Sequence, residues 1–245
     1  MGFGETLLLF FGGLFAGVIN TLAGGGSLIT VPLLIFAGVP GGAANGSNRL
    51  GILTSSASAA VAFKSFGFSG FTRAGPILLP VAIGSIGGAF LASNLGDDTF
   101  EKIFGIVMIP LLVLSLRPSP SLASEKSPWG KSFTVFIFLL VGLYGGAFQA
   151  GVGLLLVLSL ARSGLDLVLA NSVKVVVTLV VSVFALPVFI FNHQVYWKEA
   201  VVLAAGLTIG AVVGARFAVL GGVSLIRKVL IVAVVVFSGR LLNLY

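Results

Sequence analysis

The 245-residue chain has no cysteine, one histidine and only seven acidic residues, and each shortage removes a class of chemistry. Without cysteine there are no disulfides, no thiolate metal sites and no thiol nucleophile. The lone histidine, His193, stands at the end of an apolar segment, in Phe191-Asn192-His193, where it reads as an interfacial residue rather than a proton carrier. Glu5, Asp97, Asp98, Glu101, Glu125, Asp166 and Glu199 all fall in loops or at segment ends. No carboxylate therefore stands midway through an apolar segment to relay protons or bind a coupling cation. An enzyme embedded in the membrane would need a base beside its nucleophile, and no buried His, Asp, Glu or Cys offers one. The expectation is a protein that is not an enzyme and carries neither metal nor cofactor.

Apolar residues make up 58% of the chain and charged residues 9%, with a mean hydropathy of +1.18. Soluble domains are about a quarter charged. The composition predicts an all-α polytopic membrane protein whose first partner is the lipid bilayer. A net charge of +7 in a soluble chain would point to nucleic acid, but here the cations sit in short loops, where the positive-inside bias accounts for them. Nucleic acid is not an expected partner. The N-terminal MGFGETLLLFFGG has neither a basic leader region nor a clear cleavage site and reads as a retained membrane helix. Trp129, Tyr196 and Trp197 fit interface anchors.

The apolar segments run 5–23, 27–38, 44–66, 75–94 and 99–116, then 132–150, 154–163, 168–191, 198–220 and 224–243. Segments of 18 or more residues match the ~20 needed to cross a bilayer; 27–38 and 154–163 are too short and are predicted half-helices. Between the two series lies RPSPSLASEKSPWGK, residues 117–131, a solvated linker. The chain thus divides into a first transmembrane repeat (1–116), a cytoplasmic linker (117–131) and a second repeat (132–245).

The halves repeat one another. Gly13 and Asn20 precede Gly142 and Gln149 by 129 residues, while Gly38, Asn45, Gly84, Gly88 and Lys102 precede Gly164, Asn171, Gly210, Gly214 and Lys228 by 126. The three-residue difference shortens AGGGS to Gly151-Val152-Gly153, so both halves keep a glycine interruption at the same place. Each half is expected to hold a glycine-broken short helix pair plus about three full transmembrane helices. Inverted halves would put eight loop cations in the cytoplasm (Lys64, Arg73, Arg117, Lys126, Lys131, Arg162, Arg227 and Lys228) and Lys102, Lys198 and Arg240 outside. Parallel halves split seven to four, so the charge rule favours inverted repeats. Gly84-x3-Gly88 and Gly206-x3-Gly210-x3-Gly214 read as close-packing faces, which leaves a homo-oligomer possible.

The candidate site is the stretch AGVINTLAGGGSLITVPLLIFAGVPGGAANGSNRL, residues 16–50. Gly24, Gly25 and Gly26 interrupt a membrane-length helix, and backbone freed at that depth is tolerated only inside protein or along a wet cavity. Asn20, Ser27, Asn45, Ser47 and Asn48 add neutral hydrogen-bonding groups and Arg49 adds a charge. In the second half Gln149, Gly151, Gly153, Asn171, Ser172 and Lys174 repeat the set. Exposed peptide N–H groups with two cations suit a small anion. An ungapped alignment sets Asn48 opposite Lys174; one inserted loop residue sets Arg49 opposite Lys174 and Ser47 opposite Ser172, the register preferred here. The alternative for both cations is snorkelling to the headgroups, the reading given to Arg216.

AGVINTLAGGGSLITVPLLIFAGV followed by AANGSNRL resembles the first-half signature of the TauE/SafE sulfite exporter family, of the toluenesulfonate uptake permease superfamily. GLYGGAFQAGVG, LANSVK and GAVVGARFAV carry the resemblance through the second half. Where other members have an acid near the first break, or a longer glycine and proline run at the second, this chain has Asn20 and Gln149. The resemblance implies a multi-pass protein of the cytoplasmic (inner) membrane that transports sulfite, sulfonates or related small sulfur-containing anions, often outward. A secondary transporter alternating access around the two broken helices is the leading expectation. An anion channel and a structural assembly protein are the alternatives.

Overall fold

The computed structural model describes residues 1–116, 130–161 and 167–220. Nine helices fill these residues, with no strand among them: α1 Phe3–Ala23, α2 Ser27–Phe36, α3 Gly41–Ser65, α4 Phe71–Ser93, α5 Asp97–Leu116, α6 Lys131–Phe148, α7 Val152–Ala161, α8 Leu167–Phe191 and α9 Trp197–Val219. Most of the 117–131 linker lies outside the described residues, as do the last apolar segment 224–243 and Arg162, Gly164, Asp166, Arg227, Lys228 and Arg240.

Five of these helices are long and apolar enough to cross a membrane: Phe3–Leu22, Phe71–Ser93, Lys131–Phe148, Val168–Phe191 and Trp197–Val219. The protein is a multi-pass membrane protein. α3 has the length, at 25 residues, but carries Asn45, Ser47, Asn48, Arg49, Ser55 and Ser56, all buried. Its polarity is sustainable because neighbouring helices, not lipid, surround it.

Glycine decides which helices touch. α1 runs parallel to α9, with Gly206 against the Phe10 carbonyl and Gly210 against that of Leu14. α6 runs parallel to α4, with Gly84 against the Leu139 carbonyl and Gly88 against that of Leu143. Without a hydrophobic drive between helices in lipid, such close approach supplies the packing energy. These are the glycines that the spacing marks as packing faces.

α3 and α8 lie antiparallel at the centre. Gly46, near the start of α3, abuts Phe189 and the Gln194 carbonyl at the end of α8. At the other end the Ser172 hydroxyl donates to the Phe68 carbonyl just past α3, at 3.2 Å. α2 spans only the first two turns of α3: its first residues bond Asn48, and a four-residue loop joins its last to Gly41.

Two faces result. On one lie the starts of α3, α5 and α9 and the ends of α4 and α8, tied by Gly42 N–H to Asp97 Oδ1 (2.9 Å), Gln194 Nε2 to Ser93 O (3.0 Å) and Tyr196 N–H to Ser47 Oγ (2.8 Å). α1, parallel to α9, starts there too. On the other lie the end of α3 and the starts of α4, α6 and α8. The first face holds Glu5, Asp97, Asp98, Glu101, Lys102, His193, Lys198 and Glu199; the second holds Lys64, Arg73, Lys131 and Arg216. Every acid among the described residues is on the first.

Candidate functional site

Each break begins with a left-handed residue. Gly24 ends α1 at φ 80°, its N–H donating to Asn20 O at 2.8 Å, and Gly26 N–H donates to the Asn20 side-chain Oδ1 at 3.3 Å. Gln149 ends α6 at φ 60°, a conformation that costs a non-glycine residue energy, and Gly151 follows at φ 65°. The Tyr144 hydroxyl donates across this second break to Ala150 O at 2.6 Å. The two breaks abut, backbone on backbone: a Cβ placed on Gly24 would stand 2.5 Å from Gly153 Cα.

Arg49 and Lys174 are 0% and 2% exposed, so neither snorkels. Arg49 Nη1 donates to Gly145 O (2.6 Å) and Gln149 Oε1 (2.5 Å), and Nη2 donates to Gly146 O (2.6 Å) and Asn45 Oδ1 (3.4 Å). Its guanidinium carbon lies 5.2 Å from the Phe189 ring centroid, and Asn45 Nδ2 donates to Ala147 O at 2.7 Å. Lys174 Nζ donates to Asn20 O (3.0 Å), Thr21 O (2.7 Å) and Asn171 Oδ1 (2.7 Å).

The pattern is reciprocal. The cation of α3 caps the C-terminus of α6, and the cation of α8 caps the C-terminus of α1. A helix C-terminus carries roughly half a negative charge on its free carbonyls, which makes it a favourable seat for a buried cation. These seats are neutral, however. The only ion pair among the described residues joins the N-terminal amine to Glu5, at 3.9 Å. Two basic side chains are therefore held inside the bundle, and among the described residues no carboxylate pairs with either. The Arg49 Nε–H is left with no acceptor.

Other sequence-marked residues divide in their roles. Thr30 Oγ1 donates to Asn48 Oδ1 at 2.6 Å and Asn48 Nδ2 donates to Ser27 Oγ at 3.1 Å, which locks α2 against α3 beside Gly24, Gly25 and Gly26. Ser47 and Ser172 lie off the centre: each holds the loop between two helices of the other half, α8–α9 and α3–α4 respectively. Arg216 is exposed at the end of α9. Sequence reasoning passed over Thr30, Tyr144 and Phe189. A tyrosine in an apolar helix ending at a break was a usable signal; nothing marked Phe189, which meets Arg49 only in three dimensions.

Residues 9–241 match the family described as Sulfite exporter TauE/SafE. The chain belongs to that family. A probable membrane transporter protein, ORF9, of Sinorhizobium sp is 30% identical over 96% of this chain and 91% of its own length. A probable membrane transporter protein of Haemophilus influenzae is 28% identical over 96% of this chain and 93% of its own length. The probable membrane transporter protein YfcA of Escherichia coli K12 is 28% identical, over 96% and 88%. No solved structure matches. This TauE/SafE chain is accordingly a membrane transporter.

Proposed function

We propose that the protein is a secondary transporter that exports small sulfur-containing anions, such as sulfite or organosulfonates, across the cytoplasmic membrane. The observation that carries this reading is the pair of buried cations, Arg49 and Lys174, each seated on neutral carbonyls at the end of a broken helix. An anion entering there supplies the missing negative charge and competes with those carbonyls for the cation. Because each cation joins one half of the chain to a broken helix of the other, loosening the cap frees the halves to rock, which is alternating access.

The halves act as inverted repeats in this reading. Support comes from the opposed directions of corresponding helices: α3 against α8 directly, and α1 and α9 against α4 and α6 through them. The four-cation face, Lys64, Arg73, Lys131 and Arg216, is cytoplasmic by the positive-inside rule, and the acid-bearing face is outside. The export direction follows the family's description.

The test is flux in proteoliposomes loaded in turn with sulfite, sulfate, thiosulfate and methanesulfonate. Saturable, selective efflux of a sulfur oxyanion is expected. Absence of flux for all four overturns the substrate class, and unsaturable flux at channel rates overturns alternating access.

A further inference from the structure

Buried hydroxyls in this bundle are satisfied almost throughout. Ser55 donates to Ile52 O (3.2 Å), Ser85 to Ala82 O (2.8 Å) and Thr178 to Lys174 O (2.7 Å), the usual resort of a hydroxyl on a membrane helix. Ser56 and Ser182 are exceptions. They are 2% and 0% exposed, and neither hydroxyl has a hydrogen-bond partner among the described residues. An unmade hydrogen bond on a buried group is a standing cost that a protein normally avoids.

The two positions are related. Ser56 precedes Ser182 by 126 residues, the interval that separates Asn45 from Asn171 and Gly84 from Gly210. Each serine follows by 11 residues the asparagine that bonds a buried cation, about three helical turns, and so shares its helix face. α3 and α8 are antiparallel with Gly46 beside Phe189 and Phe68 beside Ser172, which puts Ser56 and Ser182 within about one turn of the same depth. Ser56 is then about 10 Å along α3 from Arg49, and Ser182 about 12 Å along α8 from Lys174.

We propose that Ser56 and Ser182 form a midway binding station for the transported oxyanion, their hydroxyls donating to its oxygens as it passes between the Arg49 and Lys174 ends. The station rests on the transport reading above. Two buried basic side chains bracket it, and every carboxylate among the described residues stands at the first face, away from this depth, so the local potential favours an anion over a cation. A hydroxyl is the suitable donor at this point. It binds an oxygen without adding a third charge that would hold the anion too tightly to release. The repeated position gives one donor from each half, so the station persists in both access states.

The experiment compares wild type, Ser56→Ala, Ser182→Ala and the double variant in proteoliposomes. It reads the KM for sulfite efflux and the rise in melting temperature that sulfite produces in the purified protein. Each single variant should raise KM by roughly three- to ten-fold and the double variant by more than either, with the sulfite-induced thermal shift reduced in step. The melting temperature without sulfite should hold or rise, since an unpaired buried hydroxyl has been removed. An unchanged KM in both single variants, alongside flux that Arg49→Gln impairs, overturns the station and leaves the transport reading standing. A lowered baseline melting temperature with KM unchanged assigns the hydroxyls to packing and overturns it equally. If the double variant does not fold, the single variants decide. No flux of sulfite, sulfate, thiosulfate or methanesulfonate by wild type overturns both readings.

Discussion

Replacing Arg49 and Lys174 by glutamine separates an anion site from a helix cap, because the two roles predict different balances between affinity and stability. From sequence alone, removing a charge from the membrane should leave stability level or improved, since such a charge costs ~2.5–3.5 kcal/mol on insertion scales. The contacts set bounds on that expectation. Arg49→Gln strands the Gly146 carbonyl, at about 1–3 kcal/mol, while that of Gly145 keeps the Gln149 N–H, against the ~2.5–3.5 kcal/mol relieved. The net effect runs from a stabilisation of about 2.5 kcal/mol to a destabilisation of about 0.5 kcal/mol, and Lys174→Gln, which strands the Thr21 carbonyl while that of Asn20 keeps the Gly24 N–H, falls in the same range. Anion affinity should fall by ten-fold or more in each, the ~1.5–3 kcal/mol of a charge-assisted hydrogen bond. Sulfite titration of the purified variants measures the first quantity and thermal melting the second. Arg216→Gln, exposed at the end of α9, is the control and should stay within about two-fold of wild type. Stability lost with sulfite affinity intact in both Arg49→Gln and Lys174→Gln would refute the anion site and leave the cations as caps.

Three further outcomes follow from the fold. Ser69→Cys, exposed between α3 and α4, should resist an impermeant maleimide in intact cells, whereas Gly96→Cys, with open space around its Cβ, should label; the reverse pattern would invert the orientation. Gly210→Leu, driven into the Leu14 carbonyl, should abolish the folded protein in detergent, and a monodisperse, wild-type melting profile would show that α1 and α9 do not meet as described. Gly24→Val and Gly153→Val each place side-chain atoms against the other break, and Gly24 also sits at φ 80°, so flux should be lost with the protein still inserted; wild-type flux in either removes that break from the transport path.

Much of the fold was legible because lipid leaves few options. Segment length against bilayer thickness marked 27–38 and 154–163 as half-helices, and α2 and α7 are ten residues each. The glycine interruptions predicted both breaks, and the left-handed Gly24, Gln149 and Gly151 are the physical form they take. What periodicity does not carry is who faces whom. The pairing of α1 with α9 and of α4 with α6 is a contact between halves in which glycines of both helices (Gly13 and Gly17 with Gly206 and Gly210, Gly84 and Gly88 with Gly142 and Gly146) meet plain carbonyls of the partner, which carry no sequence signal.

The site was legible as a list but not as a circuit. Sequence spacing put Asn45 near Arg49 and Asn171 near Lys174, one helical turn apart, and these pairs do form. It gave no hint that the cations' other hydrogen-bond partners, Gln149 Oε1 apart, are main-chain carbonyls 96 to 154 residues away, since a carbonyl has no side-chain identity to read. The same limit governed the register of the two halves. Counting residues alone set Asn48 against Lys174; the loop-insertion register set Arg49 against Lys174 and Ser47 against Ser172. The contacts support the latter, because both cations seat on a broken-helix end and both serines hold a loop of the opposite half, whereas Asn48 instead ties down α2. Shared contacts, not shared spacing, therefore identify these equivalent residues. Asn45 and Ser56 stand 126 residues before Asn171 and Ser182, whereas Ser47 and Arg49 stand 125 before Ser172 and Lys174, so the offset is confined to the turns of α3 and α8 between those two pairs.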